Sequence, residues 1–81
     1  MTHELKTWIP FYEEMINGDK TFEVRKNDRN FAIGNALLLR EYDQMNKCYT
    51  GRQKYFMIDY ILHGGQFGIK KGFVVIGIRA C

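Results

Sequence analysis

The sequence predicts a small α+β domain, mainly β, in which five to six strands form a closed or nearly closed barrel with one short helix after the first strand. Three observations lead to this prediction. The 81 residues are 46% hydrophobic and 15% aromatic, which suits one globular domain, residues 1–81, with a single core. Most of the chain alternates apolar and polar residues with period two, and only residues 10–17 show helical spacing. Because one helix cannot cover both faces of an open sheet, and an open sheet leaves two edges exposed, closure of the sheet is expected.

The first strand is expected at His3–Thr7, and the helix follows it directly. Pro10 suits the first helical position, because its missing N–H has no partner there. Apolar residues then recur at helical spacing, at Phe11, Tyr12, Met15 and Ile16. Asn17-Gly18 is expected to end the helix, since glycine readily adopts the left-handed conformation found after many helices.

The strand after the helix carries the pattern with the largest consequence for function. From Thr21 the apolar residues alternate, so Phe22 and Val24 are predicted to hold the strand to the core. Glu23 and Arg25 then lie together on the opposite face.

Three more strands are expected, at Ala36–Tyr42, Arg52–Leu62 and Phe73–Ile78, separated by turn-rich segments. The leucine triplet of the first of these suggests burial on both faces. In the longest strand, one apolar face is expected from Phe56, Ile58, Tyr60 and Leu62. Gly77 is expected to mark a bulge or a close approach of two strands.

Composition excludes several classes of protein. The net charge of +3 and the pI near 9.0 suit an anionic partner such as a nucleic acid. The chain lacks serine, which excludes serine-hydrolase chemistry, and Cys48 and Cys81 lack metal-ligand spacing, so neither metal nor cofactor is expected. Two free thiols are expected, although a disulfide stays open. No apolar run approaches the roughly 20 residues of a membrane span, and the N-terminus lacks a signal-peptide pattern, so a cytoplasmic protein without membrane contact is expected.

The segment "GDKTFEVR", residues 18–25, is the strongest candidate for a site. Glu23 and Arg25 are two positions apart on one strand face, which separates their Cα atoms by roughly 6.6–7 Å. Their side chains can therefore pair or converge on one ligand, with Lys20 close by. The spacing alone fits two interpretations: a solvated surface ion pair worth about 0–1 kcal/mol, or a polar binding site.

The same segment matches in full the GxKxxExR signature of ASCH domains, and the chain resembles a small bacterial and phage branch of that superfamily that is filed as a domain of unknown function. The resembling blocks span His3–Gly77 and read "HELKTW", "GDKTFEVRKNDRNF", "LLLREYD", "YTGR", "YILHGGQFG" and "GFVVIG". The resemblance implies a PUA-like pseudo-barrel with a cleft beside the motif strand, and RNA binding.

Two functions follow as hypotheses. The first is a module that binds RNA or a nucleotide-like ligand through Lys20, Glu23 and Arg25, with Lys20 as a point charge and Arg25 as a planar donor. The second is a small hydrolase acting on a modified nucleoside or on RNA, with Lys20 and Glu23 as acid and base groups. One ASCH branch is similar to amidohydrolases that deacetylate N-acetylcytidine with a lysine and a threonine of this motif; this chain keeps Lys20, but Glu23 occupies the threonine position.

Further residues are weaker candidates. Lys26 and Arg29, in a polar segment, either follow a nucleic-acid backbone or occupy an ordinary exposed loop. Phe67, in a glycine-rich loop, either anchors that loop in the core or stacks on a base. Trp8 either lines the cleft or packs at the helix start. His63 is expected to be a turn residue and Asp59 to face solvent.

Overall fold

The computed structural model describes the whole chain, Met1–Cys81. In chain order it contains strand β1 (Thr2–Trp8), helix α1 (Ile9–Ile16) and strands β2 (Phe22–Lys26), β3 (Ala36–Asp43), β4 (Cys48–His63) and β5 (Phe73–Ala80). The predicted class, a mainly β domain with one short helix after the first strand, is confirmed. β4 begins earlier than expected because a tight hairpin already pairs Cys48 with Asp43.

The five strands form one sheet in the order β1-β3-β4-β5-β2. β1 pairs with β3 in parallel, and every other pairing is antiparallel. β1 and β2 are the two edges of this sheet and do not pair with each other. The architecture is therefore a half-barrel, open between β1 and β2, rather than a barrel closed by backbone hydrogen bonds.

Two arginine side chains bridge the gap between these edge strands. Arg25 Nη2 donates to the carbonyl oxygen of Lys6 at 2.8 Å, and Arg29 Nη1 donates to that of Glu4 at 2.6 Å. Both carbonyls belong to β1, whereas Arg25 lies in β2 and Arg29 shortly after it. The guanidinium groups thus satisfy edge carbonyls that lack a neighbouring strand, and they hold β1 beside β2.

The core lies on the inner face of the half-barrel. Its apolar members are Leu5, Tyr12, Met15, Phe31, Leu37, Leu39, Phe56, Ile58, Val74, Ile76 and Ile78. Four polar side chains are buried with them, at His3, Thr7, Glu23 and Glu41. In β3 the buried residues alternate, so the leucine triplet is fully buried at Leu37 and Leu39 and only partly at Leu38.

The predicted orientation of β2 is wrong. Phe22 and Val24 are 44% and 54% exposed, whereas Glu23 is only 5% exposed. The pairing with β5 explains the reversal, because Glu23 lies opposite the fully buried Ile76. Neighbouring strands share their inner and outer faces, so the apolar inner face of β5 directs Glu23 inward. The polar face of β2 therefore belongs to the interior.

A bulge changes the faces of β4 halfway along. Phe56 and Ile58 are buried as predicted, but Tyr60 is 59% exposed, contrary to prediction. Ile58 pairs with Ile78 and Tyr60 with Gly77, so the intervening residue of β4 has no partner on β5. This extra residue moves the next side chains to opposite faces. A Cβ at Gly77 would lie 3.3 Å from that of Tyr60, which confirms the predicted close approach.

Helix α1 packs Tyr12 and Met15 into the core and leaves Phe11 46% exposed. Pro10 lies in its first turn, as the second residue rather than the predicted first. Gly18 has φ +81°, and its N–H donates to the carbonyl of Met15, which is the expected glycine termination. No helix of the structure has the length and apolarity that crossing a bilayer requires. The two cysteines are free and exposed, and no cluster of three or more potential metal ligands is present.

Candidate functional site

A cleft of about 280 Å³ opens where the end of β1, the start of α1, and β2 with the residues leading into it meet. Its lining residues come from these three parts of the chain and are Lys6, Thr7, Trp8, Phe11, Lys20, Glu23 and Arg25. The structure therefore brings the three motif residues of the sequence prediction together in one concave site, which is called the cleft below.

Glu23 is buried between two cations. Arg25 Nε donates to Glu23 Oε2 at 3.2 Å, and Lys20 Nζ lies 3.9 Å from Glu23 Oε1. The second distance is too long for a hydrogen bond. The Glu23 side chain is 7% exposed, and of its two oxygens Oε2 is hydrogen-bonded whereas Oε1 is not.

Thr7 presents a second polar atom of the same kind. Thr7 is 3% exposed, and its Oγ1 atom has no hydrogen-bond partner. Thr7 Oγ1 and Glu23 Oε1 are the only buried side-chain polar atoms of the protein without a partner, and both residues line the cleft. Buried polar groups are nearly always hydrogen-bonded, so two unpaired ones at one place are available to a water molecule or a ligand.

Lys20 is held by local contacts above Glu23. Its ammonium group donates to the carbonyl oxygen of Phe22 at 2.8 Å and lies 4.9 Å from the centre of that ring. The Phe11 ring is at 5.6 Å. One hydrogen bond leaves two N–H groups of the ammonium available for a ligand.

Arg25 has a structural role besides its place in the cleft. Through Nε it fixes Glu23, and through Nη2 it binds the carbonyl of Lys6 in β1. Its remaining N–H groups, chiefly those of Nη1, are the part of the guanidinium that a ligand can use.

The charges of the cleft favour an anion. Lys20 and Arg25 supply two positive groups against the single negative group of Glu23, whereas the ammonium group of Lys6 lies 4.1 Å from the centre of the Tyr42 ring. A concave surface with excess positive charge attracts phosphates and carboxylates. Trp8, which is 50% exposed, adds an aromatic face beside these charges.

An ionic network at α1 fixes the helix that supplies Phe11. Arg52 Nη1 contacts the carboxylates of Glu13 at 3.0 Å and Glu41 at 3.5 Å. The hydrogen bond that Arg52 donates to Glu13 raises the pKa of Arg52 above its usual value, so the cation stays charged. Burial raises the pKa of Tyr12, opposed by Arg52, whose guanidinium lies 5.2 Å from the Tyr12 ring.

Of the weaker candidates, Trp8 lines the cleft, and the others lie outside it. Lys26 is exposed, and Arg29 is engaged with the backbone of β1. Phe67 is 83% exposed with φ +53°, so the prediction that it anchors its loop in the core is wrong. Asp59 is exposed, as predicted, whereas His63 is the last residue of β4 and pairs with Val74, so the prediction of a turn residue is wrong.

Sequence reasoning missed Lys6, Thr7 and Phe11. The alternation of β1, in which His3, Leu5 and Thr7 are buried, was visible and would have pointed Thr7 inward. Nothing in the local sequence indicates that the end of β1 lies beside β2, since these strands are not paired.

The fold and the cleft together define a small α+β half-barrel domain with a cationic cleft beside an edge strand. Residues 2–78 match the family model described as "Domain of unknown function (DUF3850)", so the chain belongs to this family. It is also similar to a protein of Escherichia phage P2, "Uncharacterized 12.9 kDa protein in GpA 3'region", with 37% identity over 51 residues. That match covers 63% of this chain and 45% of the phage protein, so the chain aligns with less than half of its relative.

Proposed function

We propose that this protein is an ASCH-type, PUA-like domain that binds RNA or a nucleotide-like ligand in the cleft. The observation that supports this best is the convergence of Lys20, Glu23 and Arg25 around an unpaired, buried carboxylate oxygen. These are the charged residues of the GxKxxExR signature, which the chain carries in full.

The chemistry of the cleft fits a nucleotide. Its cations suit phosphate, and Trp8 and Phe11 offer exposed ring surface for stacking on a base. The volume, about 280 Å³, is near the lower limit of roughly 300–1,000 Å³ found for small-molecule sites. The cleft therefore suits one nucleotide, and a longer RNA would continue over the surface beyond it.

Fluorescence anisotropy with short single-stranded RNAs tests the proposal. Binding is measured at about 50 mM and about 200 mM salt, because affinity that rests on phosphate contacts falls steeply over this range. Lys20→Ala is expected to weaken binding and to lower the salt dependence by about one charge. Lys71→Ala is the matched control, since it removes the same charge from an exposed position outside the cleft.

Two results would contradict the proposal. One is the absence of binding to any RNA or nucleotide at about 50 mM salt, where phosphate contacts are strong. The other is equal weakening by Lys20→Ala and Lys71→Ala, which would place the binding surface elsewhere.

Thr7 favours a second candidate function, a hydrolase that acts on a modified nucleoside or RNA. Its buried, unpaired hydroxyl is a candidate nucleophile in place of the threonine position that Glu23 occupies, with Lys20 as base and Glu23 as acid or orienting group in the same cleft. Acetylated nucleosides and RNA are incubated with the protein and analysed by mass spectrometry. Activity is expected to require Thr7 and Lys20; turnover that persists in both Thr7→Val and Lys20→Ala would exclude this mechanism.

A further inference from the structure

We infer that the cleft reads a nucleobase by its exocyclic amino group: Glu23 Oε1 accepts an N–H from the base, and Thr7 Oγ1 binds beside it. This inference rests on the proposed function and names the class of ligand, a nucleotide whose base carries an amino group. It concerns atoms that the fold itself leaves unpaired.

The unpaired carboxylate oxygen determines what the ligand must bring. An ionised carboxylate only accepts hydrogen bonds, so Glu23 Oε1 can be satisfied only by a donor. Its partner oxygen, Oε2, is already bonded to Arg25 Nε, so the carboxylate offers one oxygen to the ligand. The Thr7 hydroxyl can donate or accept and therefore adapts to the neighbouring atom of the base.

An amino group suits this position better than a ring N–H. Glu23 Oε1 and Thr7 Oγ1 are shielded from solvent, so a group of the base that reaches them has to project from the base ring. An exocyclic amino group does so, whereas the ring N–H of uracil is recessed between two carbonyl oxygens. Those oxygens would be brought against the negative charge of Glu23, which repels them.

Lys20 covers the carboxylate and gives way to the base. Its ammonium group lies 3.9 Å from Glu23 Oε1 and is held by one hydrogen bond, to the carbonyl of Phe22. The four-carbon stem of lysine is flexible, so its displacement breaks few contacts. Once displaced, the ammonium group is free to pair with the phosphate of the same nucleotide.

Aromatic rings distinguish a nucleotide from a free amino acid, which also combines an amine with an anion. Trp8 and Phe11 are 50% and 46% exposed at the cleft. A planar base can stack on these rings, at about 1–3 kcal/mol per stacked base in single-strand binding proteins. Most free amino acids would leave them uncovered.

Matched nucleotides that differ only in the amino group test the inference. AMP is compared with purine riboside 5′-monophosphate, and CMP with zebularine 5′-monophosphate, by calorimetry or by NMR titration. In whichever of the two pairs binds more tightly, the nucleotide without the amino group is expected to bind about ten- to a hundred-fold more weakly, as for the loss of a hydrogen bond to a charged group. Free amino acids are included as the competing class.

Thr7→Val separates recognition from folding. The substitution removes an unpaired buried hydroxyl, so the stability of the free protein is expected to be unchanged or raised. The amino-group preference is expected to shrink in Thr7→Val and to disappear in Glu23→Gln, whereas Lys71→Ala keeps it.

The outcomes separate this inference from the proposed function. If RNA and nucleotides bind but the matched pairs bind equally, the amino-reading role is wrong and the proposed function stands. Tighter binding of free amino acids than of any nucleotide would also overturn the inference. If neither RNA nor nucleotides bind, the proposed function fails, and the inference fails with it.

Discussion

Replacing Arg25 by methionine should destabilise the fold, because this side chain joins the two edges of the half-barrel. It removes the bond from Nε to Glu23 Oε2 at 3.2 Å and the bond from Nη2 to the Lys6 carbonyl at 2.8 Å. Methionine keeps most of the aliphatic stem, so the change reports mainly on the guanidinium group. A residue used only for ligand binding would not show this effect.

The expected magnitude follows from the burial of the pair. The side chains of Glu23 and Arg25 are 7% and 27% exposed, so this is a largely buried ion pair. Removing one partner leaves the carboxylate buried with only Lys20 nearby, at 3.9 Å. We expect the free energy of unfolding to fall by about 2–4 kcal/mol. The value should lie toward the lower end of this range, because Lys20 still partly compensates the charge of Glu23. This is a large part of the roughly 5–15 kcal/mol by which domains are stable.

Urea denaturation measures the effect. With a slope of about 1 kcal/mol per molar urea, the midpoint is expected to fall by about 2 M or more. Arg79→Met is the matched control, because Arg79 is exposed and makes no ion pair, so its midpoint should change little. In the Glu23→Gln background, Arg25→Met should lower the free energy of unfolding by at least about 1 kcal/mol less than it does in the wild-type protein. A midpoint for Arg25→Met equal to that of Arg79→Met would refute the reasoning.

Three further predictions concern the rest of the fold. Gly64→Ala should destabilise the protein by about 2 kcal/mol or more in the same denaturation assay, since its Cβ would overlap the carbonyl oxygen of Lys70; an unchanged midpoint would contradict this. Phe67→Gly should leave stability unchanged or raise it by up to about 1 kcal/mol, because the ring is exposed and φ is +53°; a clear loss would show that the ring packs. The pKa of Asp43 is held below its ordinary value of 3.8, mainly by the hydrogen bond from the Asn46 side chain and next by that from the Asn46 N–H. The ionised carboxylate therefore stabilises the fold above pH 3.8, and this stabilisation is lost as the pH falls through the lowered pKa. Asn46→Ala should raise that pKa in an NMR titration, and an unchanged value would refute the assignment.

Local sequence was enough to predict the helix and the class of fold. Pro10 and Gly18 act within one turn of the chain, so their effects can be read without the rest of the protein. The faces of β2 could not be read in this way. Phe22 and Val24 are the apolar residues of that strand, and yet Glu23 faces inward, because the strand takes its register from the buried residues of β5.

The candidate site, too, could be predicted from the sequence only in part. The sequence alone placed Lys20, Glu23 and Arg25 within a short segment, because signature residues on one strand are close whatever the fold. Only the tertiary structure decided that Glu23 is buried and that Thr7 joins it in the cleft. Two edge strands that are unpaired in the sheet meet there, held by arginine side chains instead of a backbone ladder. No local pattern encodes such a contact, since it exists only once the sheet has curved into a half-barrel.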